Sequence, residues 1–138
     1  MSIADEYPRC FACGVDNKRG LGLKFITEDN MVVCRFSLDE DFNGWPGVAH
    51  GGIVATVLDE AAYYAISLDD NWGQGLTINM NLDYKLPTPV NEPLLLQGWV
   101  EKNRRNILYC QTRLFRETDM KLLAQAEVSY LMRKKANA

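Results

Sequence analysis

The longest apolar stretch of the chain opens on His50-Gly51-Gly52 and runs to Leu68, with Asp59 and Glu60 set inside it. It is rich in alanine and leucine and too long for a strand, so the pattern predicts a buried helix over about residues 51–68. Asp69-Asp70-Asn71 ends it. Elsewhere the period is two. Leu76, Ile78, Met80, Leu82, Tyr84 and Leu86 alternate with Thr77, Asn79, Asn81, Asp83 and Lys85. That spacing predicts an antiparallel strand over 76–86, with the apolar set on the core and Thr77 on the opposite face. Residues 122–133 alternate likewise, placing Leu122, Ala124, Ala126, Val128, Tyr130 and Met132 on one face. Shorter runs predict strands over 21–27 and 31–38 about a Glu28-Asp29-Asn30 turn, and over 93–101 and 107–116 about the polar turn 102–106. Asn43-Gly44-Trp45-Pro46-Gly47 marks a loop within 39–49.

The expected architecture is therefore α+β, with one long helix against five to six antiparallel strands in a single domain spanning 21–138. Residues 1–20, polar and punctuated by Pro8 and glycines, form an irregular lead-in. An amphipathic helix shows solvent a broad polar face, but this one offers only the narrow stripe Thr56, Glu60, Tyr63 and Ser67. The sheet must curve around the helix, or a second subunit must help to cover it, and both point to a homo-oligomer, dimer or tetramer.

A carboxylate in so apolar a helix is costly unless it is paired or used. Asp59 falls on the stripe of Ala55, Ala62 and Ile66, where small side chains leave room beside it. Glu60, sharing its stripe with polar neighbours, reads as the more solvated acid. The apolar setting is expected to raise the Asp59 pKa and strengthen it as a base.

Composition narrows the functional classes. Hydrophobic content of 47% and charged content of 24% are ordinary for a soluble domain. A net charge of −3 leaves no basic field for nucleic acid. The first residues carry Asp5 and Glu6 where a secretory signal needs an apolar core, and no run is long and uncharged enough for a membrane helix. The expected setting is cytoplasmic. Cys34 and Cys110 sit in strand-like runs and read as small buried hydrophobes. Cys10-Phe11-Ala12-Cys13-Gly14 has zinc-like spacing, but no second such pair and no histidine pair completes a tetrahedral set, so a loop role is preferred to a metal or redox one.

His50-Gly51-Gly52, six residues and then Asp59 resembles the signature of the hotdog-fold acyl-CoA thioesterases, the PaaI-like group of the 4-hydroxybenzoyl-CoA thioesterase superfamily. The lead-in Cys10-x-x-Cys13-Gly14 with Asn17, Gly20-Leu21 and Phe25 is similar to one bacterial branch, and Gly75-Leu76-Thr77 through Tyr84 to Pro87 is similar to the family's strand after the helix. The resemblance implies the hotdog fold, a central helix wrapped by a curved antiparallel sheet, and hydrolysis of an acyl-CoA thioester without metal or cofactor. It implies Asp59 as general base or nucleophile and the Gly51 amide as oxyanion donor. Asn43 and Thr77 are placed to contact substrate or water, or to make ordinary turn bonds. Asn43 stands one residue further from His50 than in relatives. His50 and Gly52 would lie against the substrate, with His50 more a bracket of the helix start than a proton shuttle. Arg105, then Arg104, would meet coenzyme A phosphates or remain solvated in their turn. The Trp45-Pro46 segment would line a pocket or pack on a neighbouring chain. The resemblance also implies active sites shared between subunits, Asp59 of one facing Gly51 of the other.

Chemistry agrees with that assignment. A thioester carbonyl needs an electrophilic partner and an activated water or attacking carboxylate, and helix N-terminal amides flanked by glycine supply donors at close range. The runner-up is a hotdog dehydratase or hydratase, which needs a histidine and an acid together. His50 is the only histidine, so the separate upstream one of that class is missing. A non-catalytic acyl-CoA-binding oligomer is the third reading.

Overall fold

The computed structural model describes residues 3–136; Met1 and Ser2 of the lead-in, and Asn137 and Ala138 at the end of the expected domain, lie outside them. A one-turn helix α1 (Ile3–Glu6) precedes the hairpin β1 (Ile26–Glu28) and β2 (Met31–Phe36). A short 3-10 turn (Glu40–Phe42) and a loop lead into α2 (Gly51–Ile66), followed by β3 (Trp72–Tyr84), β4 (Leu94–Arg104), β5 (Ile107–Arg116) and β6 (Lys121–Lys134). The strands form one antiparallel sheet in the order β1-β2-β4-β5-β6-β3, which leaves β1 and β3 at its edges. Among the described residues no helix is long and apolar enough to cross a membrane.

The helix and the sheet are as expected, and the sheet curves so that β2 to β6 all touch α2. Val54, Val57, Leu58, Ala61, Ala62, Ala65 and Ile66 are buried against Leu94, Leu96, Cys110, Leu114, Ala124 and Val128. Close approach is set at Gly98 of β4. A side chain there would meet the Ala61 carbonyl oxygen at 2.8 Å and the Ala61 Cβ at 3.2 Å. Gly98→Val is accordingly expected to cost about 1–3 kcal/mol of stability by forcing helix from sheet. A lowered urea midpoint at unchanged slope checks it.

Two strand expectations need correction. The run 21–27 is strand only from Ile26, because Gly22 adopts φ +61° and the preceding backbone bonds elsewhere: Leu21 N–H to Phe11 O and Leu23 N–H to Ala12 O. The lead-in thereby contributes to the core, with Ala12, Cys13 and Leu23 buried. The turn itself is as expected: Asp29 and Asn30 take φ 50° and 63°, the two positive values of a tight hairpin turn.

The second correction concerns faces. In β3, Thr77 pairs with Tyr130 but Asn79 pairs with Ser129, so Ile78 is an extra residue, a β-bulge. Alternation changes phase there. Met80 and Leu82 face the core as predicted, but Thr77 joins them on the helix side while Leu76 is turned out, 71% exposed.

Candidate active site

Helix α2 begins with a cap that uses the lone histidine. His50 lies outside the helix, at φ −59° and ψ 137°, and its Nδ1 accepts from the Gly52 N–H at 2.9 Å. Its carbonyl takes the Ile53 and Val54 amides. The Gly51 N–H is the amide left over, with no acceptor among the described residues. Tyr84 fixes this first turn by donating to the Gly51 carbonyl at 2.7 Å. A cavity of about 340 Å³ opens beside it, lined by Val48, Gly51, Val54, Tyr84, Leu86 and Thr88. His50 thus brackets the helix, as the cap geometry requires. His50→Ala is expected to lose about 0.5–2 kcal/mol, read as a lower melting temperature. Any turnover should survive within a factor well short of the 10²–10⁴ that a proton shuttle supplies.

Two turns on, Asp59 is held from two strands. Thr77 Oγ1 donates to Asp59 Oδ1 at 2.8 Å and Tyr130 Oη donates to the same oxygen at 2.9 Å. Tyr130 also reaches the Asp59 carbonyl at 3.2 Å. Burial, and then the Asp59 charge, push the Tyr130 phenol far above its usual pKa, so it stays a donor. Its ring packs on Tyr63, centroids 5.6 Å apart. Both side-chain bonds fall on Oδ1, and Oδ2 has no partner among the described residues. A half-buried carboxylate oriented through one oxygen, with the other free, can take a proton from water or attack a carbonyl. The bulge at Ile78 is what aims Thr77 at it.

The residues matched by the family model of the thioesterase superfamily are 46–123, more than half of the chain, and they include both Gly51 and Asp59. The chain belongs to the thioesterase superfamily. The mouse acyl-coenzyme A thioesterase 13 is 24% identical over 68% of this thioesterase and 67% of its own length. The acyl-coenzyme A thioesterase THEM4 of Xenopus laevis is 32% identical over 80% of this chain, which spans only 51% of that relative. The solved zebra fish thioesterase superfamily member 2 shares the fold, with a TM-score of 0.75, 24% identity and coverage of 91% and 94%. The expected hotdog architecture is borne out.

Other residues singled out in this thioesterase are placed apart from Asp59. Asn43 is drawn toward the helix start by its bridge to Ala49 and by the bond from the His50 N–H to Phe42 O, and its Oδ1 is buried without a donor. Arg104 and Arg105 are exposed at the β4–β5 turn, Arg105 at φ 59°. Trp45 lines none of the described cavities and is 77% exposed.

Glu60, expected to be the more solvated acid, is half-buried like Asp59. The lead-in covers it, and Cys10 Sγ–H donates to Glu60 Oε2 at 3.3 Å. Desolvation raises its pKa; the Cys10 bond opposes this and the Asp59 charge adds to it. Burial likewise pushes the Cys13 thiol up to about 12. Glu60 and Cys10 border a cavity of about 1260 Å³ that also meets Arg9, Tyr63, Arg133 and Lys134. Pattern reasoning missed those three cations, and Tyr130 as well. Tyr130 had left a signal, since a tyrosine on an inward apolar stripe needs a partner for its hydroxyl.

Proposed function

We propose that this thioesterase hydrolyses an acyl-CoA to a carboxylic acid and coenzyme A, at sites assembled from two copies of the chain. The observation that carries the reading is the Thr77–Asp59–Tyr130 arrangement, on the helix whose first amide is unspent. The names of the two acyl-coenzyme A thioesterases that resemble the chain support the substrate class.

In this reading the thioester carbonyl accepts the Gly51 N–H, and the helix N-terminus favours the negative charge that develops on its oxygen. Asp59 Oδ2 either takes a proton from water, whose oxygen bonds the carbonyl carbon, or bonds that carbon itself. The second course gives an acyl-aspartyl anhydride that a water then opens to the acid. In both courses the C–S bond breaks and the thiolate leaves. Thr77 and Tyr130 hold Oδ1 so that Oδ2 faces the reaction. Within one chain, eight residues of helix, a rise of roughly 12 Å, separate Gly51 from Asp59. One carbonyl cannot meet both, so the amide comes from a second subunit. Leu76, Ile78 and Leu131, exposed on and beside the edge strand β3, supply an apolar surface for that association. Asn43, Gly52, His50 and the Arg105–Arg104 turn are the remaining substrate contacts, and the setting is cytoplasmic.

The test incubates purified protein with a panel of acyl-CoAs, following free thiol, beside an absorbance assay on enoyl-CoA. Thiol release supports the reading. Loss or gain of the enoyl absorbance without thiol would assign a dehydratase or hydratase, and binding without turnover an acyl-CoA carrier. Sedimentation is expected to show a dimer or larger at micromolar concentration. A stable, active monomer would overturn the shared site.

A further inference from the structure

The Cys10–Cys13 pair lacked a third ligand in the sequence, and the fold supplies one. The Sγ atoms of Cys10 and Cys13 and a carboxylate oxygen of Glu60 all lie within 4.8 Å of one another. Glu60 stands 47 residues beyond Cys13, on α2, so only the packing of the lead-in against the helix brings it there. We propose that Cys10, Cys13 and Glu60 form a zinc site, with water from the adjoining cavity completing the tetrahedron.

Three observations carry this. The first is donor chemistry: two thiols and one carboxylate match a borderline-soft cation such as Zn²⁺ and not Mg²⁺ or Ca²⁺. With Zn–S of about 2.3 Å and Zn–O of about 2.0–2.2 Å, neighbouring ligands stand about 3.5–3.8 Å apart, so the set needs to close by only about an ångström. Cys10 Sγ and Glu60 Oε2, at 3.3 Å, are already that near.

Local rigidity is the second. Gly14 closes the turn by donating to the Cys10 carbonyl at 2.8 Å. A side chain at Gly14 would collide with the Pro8 carbonyl and stand 2.5 Å from the Cys10 nitrogen. The turn is therefore tight enough to hold both sulfurs close together.

The third is charge. Among the described residues no lysine or arginine forms an ion pair with Glu60. A half-buried acid beside two thiols, with no cationic side chain paired to it although Arg9, Arg133 and Lys134 line the same cavity, leaves its charge available to a bound cation. Binding would displace the Cys10 and Cys13 protons to solvent. The two thiolates and the Glu60 carboxylate would offset the 2+ charge of the cation and leave the site with a single net negative charge. The site would pin the lead-in to α2 one residue from Asp59.

The test uses fully reduced, chelator-stripped full-length protein and the metal alone. One Zn²⁺ per chain is expected to bind in competition with a chromophoric chelator, releasing about two protons. Co²⁺ should give thiolate-to-cobalt absorption in the near ultraviolet and tetrahedral bands in the visible. Cys13→Ser should abolish the thiolate bands, and Glu60→Gln should weaken zinc by about tenfold or more. The wild-type cobalt spectrum stands even if a variant misfolds. The proposal is overturned if reduced wild type takes up no stoichiometric zinc, or if uptake survives in Cys13→Ser. It is equally overturned if a thiol oxidant closes a Cys10–Cys13 disulfide in protein that binds no zinc when reduced, since the pair would then serve redox chemistry.

Discussion

Asp59→Asn is expected to reduce thiol release from acyl-CoA by about 10²–10⁴-fold, the range that a positioned base contributes. The substitution keeps shape, and an amide oxygen can still accept from Thr77 and Tyr130, so the melting temperature should move little. What disappears is the free carboxylate oxygen. A variant that retains wild-type turnover would remove Asp59 from the chemistry and leave it a structural acid, tying the helix to β3 and β6. Thr77→Val separates positioning from reaction. It should lower kcat, with KM nearly unchanged, by much less than loss of the carboxylate does.

Gly51→Pro should cost about 2.7–4 kcal/mol of transition-state stabilisation, or 10²–10³ in kcat, because it deletes one oxyanion donor. This is an unusually clean way to delete a backbone N–H. Gly51 is the first helical residue, where proline is favoured, and His50 before it already has the extended backbone that a following proline demands. Helix content by circular dichroism should be unchanged. Mixing Gly51→Pro with Asp59→Asn protein offers a stringent check of the shared site. Each inactive variant supplies what the other lacks, so exchange of subunits restores turnover. Failure of exchanged hybrids to recover any activity would place both groups in the same chain's site.

Much of this was legible before any coordinates. The length and alanine- and leucine-rich make-up of one apolar run gave the helix, and the two-residue period gave the sheet, because burial imposes both directly on which positions are apolar. The glycine-flanked histidine gave the helix start. Thr77 was singled out by resemblance, yet its face was misread: strict alternation assumes an unbroken ladder, and nothing in Leu76-Thr77-Ile78-Asn79 announces that Ile78 is unpaired. Glu60 was misread for a different reason. Its helical stripe is polar, but what lies over that stripe is the lead-in, and contacts between segments about 50 residues apart leave no local period to read. The pairing of Tyr130 with Asp59, 71 residues apart, and the Cys10–Cys13–Glu60 group were hidden for the same reason.

The bulge at Ile78 has a consequence for how the chain finds its pairing. A plain strand can slide by two residues along its neighbour and still keep every side chain on its proper face, so alternation alone protects only against odd slips. In β3 the two halves are out of phase because Ile78 is extra, while β6 runs regularly through Tyr130 and Ser129. Sliding β3 by two would keep the faces but carry Thr77 away from Asp59, so the bond between them marks the one register that alternation leaves open. The hydroxyl aimed by the irregularity is thus also an index mark, set in an edge strand of 13 residues where mispairing has the fewest other obstacles.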